Sequence, residues 1–420
     1  MYKSITTSLL VALHCLAVMG QSKQLTLEEC YERAKQNYPL IKQRDLISKT
    51  RDYSVDNAAK GYLPQINIVG QATYQSDVVE FPKALQGTIY PTFSKDLYKV
   101  GAELTQTIYD GGAIKYSKET QEANAALQQQ TLEVNLYAVR ERVNQLFFGI
   151  LLIGRQIELT ELKKNDIQSA LNKTQGAYNN GTAFKSSVDE LKAELINADQ
   201  SKIELQANRK AYANMLSILI NLAITDDVQL VKPGDQTLSS NINRPELQQY
   251  DYQKKLFDIQ ERQAEIAHLP KVSAFAQGYY GRPTYNFISN DFGWYGMVGV
   301  RFNWPITGFY TNKNDKQLIN INRSNVDVQR ETFLFNTQLS LSQQSEDVSK
   351  YKQLLQQDQE VIDLRGAIKT AANAQLDNGV ITTHDFIVKV NDESQAKLNA
   401  ALHEIQMLQA EYNHKNTAGN

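Results

Sequence analysis

His384 stands beside Asp385, the residue types of a proton relay, but nothing around them completes a catalytic pattern. Setting aside the first twenty residues leaves His268, His384, His403 and His414, none in HExxH or another metal-ligand spacing. The two cysteines, Cys15 and Cys30, form no paired motif. Gly293, Gly296 and Gly299 lie in a strand-like stretch, where close backbone packing explains them better than phosphate binding. Asn180-Gly181-Thr182 fits a glycosylation sequon, yet Asn-Gly between two helical runs reads better as a turn. His384 itself reads as a polar residue near that kind of turn. The sequence therefore offers no catalytic residue, no metal site and no cofactor site, and an enzyme is not expected.

The positions that stand out are structural. In Val100–Gly112, VGAELTQTIYDGG, the residues Val100, Ala102, Leu104 and Ile108 alternate with Gly101, Glu103, Thr105 and Thr107. That is a strand with one apolar and one polar face. Asp110 can then cap a helix, with Gly111 and Gly112 allowing the change of direction. Helix formers dominate from Ile114 to about Gln175, a helix of roughly 60 residues, or about 90 Å.

The N-terminus has the pattern of a secretory signal over residues 1–20: Lys3, an apolar run from Leu9 to Val18, and Gly20 at a cleavage point. His14 before Cys15 is not the small residue a lipoprotein site wants. Export leaves Cys30 alone, so no intrachain disulfide is expected. Losing Lys3 takes the net charge from -2 to -3, which is no footprint for nucleic acid. No later run of 18 apolar residues exists, so any membrane crossing must use strands.

The chain then repeats itself. A helix over 26–59, capped by Thr26 and Glu29, breaks near Pro39; strands follow at about 64–75 and 97–108. Leu132, Leu136, Val139, Val143, Leu146, Ile150, Ile153 and Ile157 form one heptad seam. A second seam runs through Val188, Leu191, Leu195, Ala198, Lys202, Leu205, Arg209, Tyr212, Leu216 and Leu219, past a tip at 178–182. After a polar connector, 223–243, NYPLI at 37–41 returns as NRPEL at 243–247, an offset of 206. VGAEL at 100–104 returns as VGVRF at 298–302, and NNG at 179–181 as DNG at 377–379, both offset by 198. The repeats are 21–222 and 244–420. The second has strands near 270–280 and 293–306, a junction at Gly308 and a tip at 376–380.

Four strands are too few to close a membrane barrel, and an open sheet leaves unpaired edges. The expectation is a rotationally symmetric oligomer, with three copies giving twelve strands. Tyr62, Tyr109 and Trp304 at the helix-side strand ends, and Tyr74, Tyr98, Tyr280 and Trp294 at the loop-side ends, read as two interfacial belts. A soluble periplasmic coiled-coil scaffold is the alternative that the heptads alone permit, but it leaves the strands unexplained. A diffusion porin would be rich in strands.

The whole pattern resembles the TolC-like outer-membrane efflux proteins. The resemblance rests on the duplicated layout, Leu63-Pro64 and Leu269-Pro270 before strands, the IYDGG junction, and the paired tips YNNGT and LDNGV. It implies a mainly α chain contributing to a transmembrane β-barrel: two long α-hairpins and four β-strands, trimerising into a twelve-stranded barrel and a twelve-helix periplasmic tunnel. The long helices would cover about 113–176 and 312–376. The shorter ones, 26–59 with 183–222 and 246–268 with 380–412, would stack to match, with 223–243 in an equatorial belt. It further implies a homotrimer set among outer-membrane lipids of a Gram-negative bacterium. A periplasmic adaptor would dock at the tips (Tyr178, Asn180, Gly181, Thr182, Leu376, Asn378, Gly379 and Val380). An inner-membrane pump of the RND or ABC type would drive efflux or type I secretion. The family's acidic constriction past the tip glycine maps onto Asp385, with Ser187 equivalent in the first repeat and Asp189 two later. Val388 stands where some members have a second acid. Ile381 and Leu376 replace the Arg and Tyr with which some members lock the closed state, so that lock is not carried over.

Overall fold

The computed structural model describes residues 23–80, 93–225, 228–286 and 288–420. The expected signal segment and most of the loop after the first long strand lie outside the described residues. In chain order the elements are β1 (Lys23–Leu25), α1 (Leu27–Asn37), α2 (Gln43–Ala59), β2 (Gln65–Tyr74), β3 (Asp96–Tyr109), α3 (Ala113–Tyr137), α4 (Val139–Asn179) and α5 (Lys185–Ile220). They continue as β4 (Val228–Leu230), α6 (Pro245–Ile266), β5 (Lys271–Arg282), β6 (Gly293–Asn303), α7 (Gly308–Asp377) and α8 (Thr383–Ala418). Among the described residues, no helix is long and apolar enough to cross a membrane.

The chain packs as two compact units, each drawing on both repeats. One holds Gln43–Thr131 and Gln248–Arg330; the other holds the residues up to Lys42, Leu132–Leu247 and Glu331–Asn420. The first contains a four-stranded antiparallel sheet in the order β2-β3-β5-β6. The repeats meet inside it, because β3 pairs with β5, and β2 and β6 are left as edges. The ladders place Ile66, Leu104, Ala276 and Val298 in one row and Ile68, Ala102, Gly278 and Gly296 in the next. The apolar face read from β3 is therefore continuous across all four strands. It is not buried: Ile68 is 77% exposed and Val298 81%.

Two expectations about the strands change. Strict alternation in β3 ends at a bulge, where Thr107 faces Ser273 but Tyr109 faces Val272, so Ile108 falls out of the row that holds Leu104. The last strand stops at Asn303 rather than 306, because Pro305 cannot donate to a ladder. Successive turns (N–H of Gly308 to the Pro305 carbonyl, Phe309 to Ile306, Tyr310 to Thr307) then start α7 at Gly308, four residues before the expected point. Gly308 is thus the first helical residue of the second junction. At the first, Asp110 accepts from the N–H of Gly112 at 2.8 Å and of Ile114 at 2.7 Å, while Gly111 and Gly112 take φ of 71° and 93°. That is the cap read from the sequence.

The second unit is held by two apolar clusters. One gathers Leu27, Phe147, Phe148, Leu216, Ile220 and Leu408 with Leu25 of β1 and Val228 of β4. The parallel β1–β4 pair tucks the connector against the start of the chain. Each strand has three residues, too short for a period to show in the sequence. The other cluster joins Ile167, Leu171, Val188, Leu191, Phe386 and Val390.

The heptad seams need correcting. Leu132 to Ile150 are buried as expected, but Ile153 and Ile157 are half-exposed, and burial passes to Leu159, Ile167, Ala170 and Leu171. A helix of 3.6 residues per turn drifts against a strict heptad, and α4 packs on both α5 and α8, so its buried face shifts along its length. In α5 Tyr212 is 38% exposed and Ala213 is buried in its place. The first long helix also has a one-residue irregularity at Ala138, where the N–H still reaches the Val134 carbonyl at 3.2 Å. At the start of α1 only half of the capping box forms. Thr26 accepts from the Glu29 N–H at 3.2 Å, while the Glu29 carboxylate turns to Arg33 at 2.9 Å.

Candidate functional site

The two helix tips are built by the same hydrogen bonds, offset by 198 residues. The N–H of Asn180 reaches the Gly176 carbonyl, Gly181 reaches Tyr178 and Thr182 reaches Ala177. In the second repeat Asn378 reaches Ala374, Gly379 reaches Leu376 and Val380 reaches Gln375. These are Schellman turns, whose glycine must be left-handed, and Gly181 and Gly379 have φ of 77° and 70°. The eight tip residues named from the sequence fall in these two turns. Tyr178 is 41% exposed and Val380 70% exposed. Between the turns lies a cleft of about 540 Å³ lined in part by Thr182, Phe184, Ser187, Leu376 and Ile381. Phe184, 79% exposed, was not singled out from the sequence. It follows the helix-breaking run without joining either seam.

Polar contacts tie the tip helices together. Lys173 bridges to Asp377 at 2.8 Å, and His384 Nδ1 lies 2.9 Å from Glu190. Deeper in, Lys369 reaches both Asp166 at 2.8 Å and the buried Glu393 at 2.7 Å, and Lys397 also holds Glu393 at 2.8 Å. Burial raises the pKa of Glu393, but the hydrogen bonds and charges of Lys369 and Lys397 outweigh it, so the net shift is downward. An acid depressed in the fold adds stability above its unfolded value, and that stability is lost as pH falls through the folded one. Between roughly pH 5 and pH 3, the native chain should therefore lose more melting temperature than Glu393→Gln. Equal losses in the two proteins would show that the bridge carries no pH dependence.

The three residues expected at the gate take different places in the two tips. Asp385 closes a capping box at the start of α8: its carboxylate accepts from the Thr382 N–H at 3.2 Å and hydroxyl at 2.7 Å, and the Thr382 hydroxyl accepts from the Asp385 N–H at 3.1 Å. Those bonds from Thr382 lower its pKa. His384 turns instead to Glu190, so the neighbouring pair is no relay. In the first repeat Phe184 occupies the cap position and offers no side-chain bond; Ser187 lines the cleft and Asp189 is exposed.

The seven belt aromatics are all exposed, from Tyr280 at 40% to Trp294 at 80%. At the loop end Tyr280 and Trp294 stand across one ladder with ring centroids 5.3 Å apart. Phe292, absent from the sequence reading, stacks on both Tyr98 and Tyr280. At the other end Trp304 donates to the His268 carbonyl at 3.0 Å. An exposed apolar sheet face bordered by Tyr and Trp at both ends has the form of a membrane-facing surface.

Residues 30–222, almost the whole first repeat, match the family described as outer membrane efflux protein. That match covers the first repeat, somewhat under half of the chain. No curated protein matches it by sequence. Among solved structures it is similar to CusC, described in connection with transmembrane channel formation, at 12% identity and TM-score 0.70, covering 93% of this chain and 91% of that one. It is also similar to the outer membrane protein VceC of Vibrio cholerae, at 11% identity and TM-score 0.66, covering 94% and 96%. The CmeC outer membrane channel of Campylobacter jejuni is similar at 13% identity and TM-score 0.66, covering 94% and 85%. Identities this low carry the fold alone, and over 93–94% of this chain the fold is that of these outer-membrane channels.

Proposed function

We propose that this chain is an outer membrane efflux protein rather than a soluble scaffold, a channel of the outer membrane with its helices on the periplasmic side, and that three copies close into one passive exit duct, fed by a periplasmic adaptor and an inner-membrane pump. The observation that carries the reading is the open sheet. It has two unpaired edges, β2 and β6, and an apolar face that is solvent-exposed in the single chain. A bilayer accepts strands only as a closed barrel, and bacterial barrels begin at eight strands, so one chain with four cannot suffice. Pairing β6 of one copy with β2 of the next satisfies both edges. The resemblance to TolC-like proteins implies three copies, giving twelve strands. The paired Schellman turns, exposed and alike, are the natural docking points for the adaptor. Asp385 serves there first as a helix cap. The chain itself carries out no chemistry in this scheme; the pump supplies energy and most of the cargo choice.

Negative-stain imaging of the detergent-extracted membrane protein tests this. Hollow particles of threefold symmetry are the expected result. Monomers confined to the soluble fraction would overturn it.

A further inference from the structure

The polar face of the sheet has an unequal charge that the exit-duct reading does not explain. Alternation and register put Gln65, Asn67 and Gln71 of β2 on this face, with Lys99, Glu103 and Thr105 of β3. Lys271, Phe275, Gln277 and Tyr279 of β5 and Tyr295, Gly299 and Arg301 of β6 share it. The charged members are three cations, Lys99, Lys271 and Arg301, against one carboxylate, Glu103, a balance of +2 per chain. The carboxylate is engaged, since the Tyr279 hydroxyl donates to it. None of the three cations forms an ion pair among the described residues. Two of them sit over rings: Lys99 Nζ is 4.9 Å from the Tyr279 centroid and the Arg301 guanidinium 5.1 Å from that of Phe275.

Each ring lies across a glycine on the neighbouring strand. Tyr279 is opposite Gly101, and Phe275 is opposite Gly299. A Cβ on Gly101 would come 2.6 Å from the Tyr279 ring, and one on Gly299 would come 2.9 Å from that of Phe275. Gly101 and Gly299 are equivalent in the two repeats, 198 residues apart. The same arrangement of cation, ring and glycine thus occurs twice on one wall. A ring orients a cation without cancelling its charge, whereas a carboxylate partner would neutralise it.

We infer that this wall makes the barrel section of the duct selective for anions, so that organic anions pass it more readily than cations of the same size. Rings of Lys and Arg favour anions in pores, and a narrow low-dielectric passage of one sign concentrates the opposite ion. The inference rests on the exit-duct reading, because only barrel closure with the apolar face outward turns this wall to the lumen.

The test is the zero-current potential of the purified full-length protein in a planar bilayer under a potassium chloride gradient. The native channel should show the sign of chloride selectivity. Lys99→Glu with Arg301→Glu should reverse that sign, and Lys99→Gln with Arg301→Gln should bring the potential toward zero. A native channel selective for potassium, or a chloride preference unchanged in both variants, overturns the inference and leaves the duct standing. Inserted protein that never conducts would instead remove the duct reading, and this inference with it.

Discussion

Gly181→Val combined with Gly379→Val should abolish export in the native host while the protein still reaches the outer membrane. Both glycines hold left-handed backbone, with φ of 77° and 70°. An L-residue there costs roughly 1–2 kcal/mol, and valine's branched Cβ makes it worse. Nothing lies within 4 Å of a Cβ at either site, so the penalty is purely one of backbone conformation. The bonds at stake are those from Thr182 to Ala177 and from Val380 to Gln375, which fix the shape the adaptor would meet. Amide exchange at Thr182 and Val380 should quicken about 5- to 30-fold, the range that matches that cost. Asparagine tolerates the left-handed region, so the corresponding Asn variants should export nearly normally. Full export by the double valine protein would remove these turns from the docking site.

Gly101→Val should prevent barrel assembly altogether. A Cβ there would lie 2.0 Å from the Gly278 carbonyl oxygen and 2.7 Å from the Tyr279 Cα. Those are backbone atoms of the paired strand, so no side-chain rotation relieves the clash, and β3 and β5 must separate. Overpacking in a core typically costs about 1–3 kcal/mol, and a forced backbone shift belongs at or above the top of that range. The β3–β5 ladder is also the only join between the repeats within the sheet. Heat-resistant oligomer recovered from outer-membrane fractions should fall to background. Gly70→Val is the control, because nothing lies within 4 Å of a Cβ there and the site belongs to the apolar row. Normal oligomer from Gly101→Val would mean that the strands pair in another register.

Much of this was legible from spacing alone. Period-2 alternation located the first two strands and their apolar face, the Asn-Asn-Gly break located the first tip, the repeat offsets located the matching strands and tip of the second repeat, and Asp110 before two glycines located the first junction. What escaped depended on contacts between distant residues. Nothing local to Phe275 or Tyr279 says that a glycine lies opposite, because that pairing joins strands far apart in the chain. The bulge at Thr107–Tyr109 adds one residue without changing composition. Asp385 fitted two roles, and only the Thr382 hydrogen bonds distinguish a cap from a free carboxylate. The upper part of the first heptad seam failed because one helix serves two neighbours, which a single-period reading does not allow.

The β3–β5 ladder also bears on ancestry. Half of this chain supplies one two-stranded ribbon and one helical hairpin, so if three chains close the barrel as proposed, six unfused halves would furnish the same strands. Fusion relaxes a constraint that a sixfold ancestor could not escape, since any mutation in it appears six times around the ring. Once joined, the halves can drift apart, and they have: Glu103 in one corresponds to Arg301 in the other, and a Thr382–Asp385 cap to Phe184 and Ser187. The identical hydrogen bonds of the two tips mark what that divergence has left untouched.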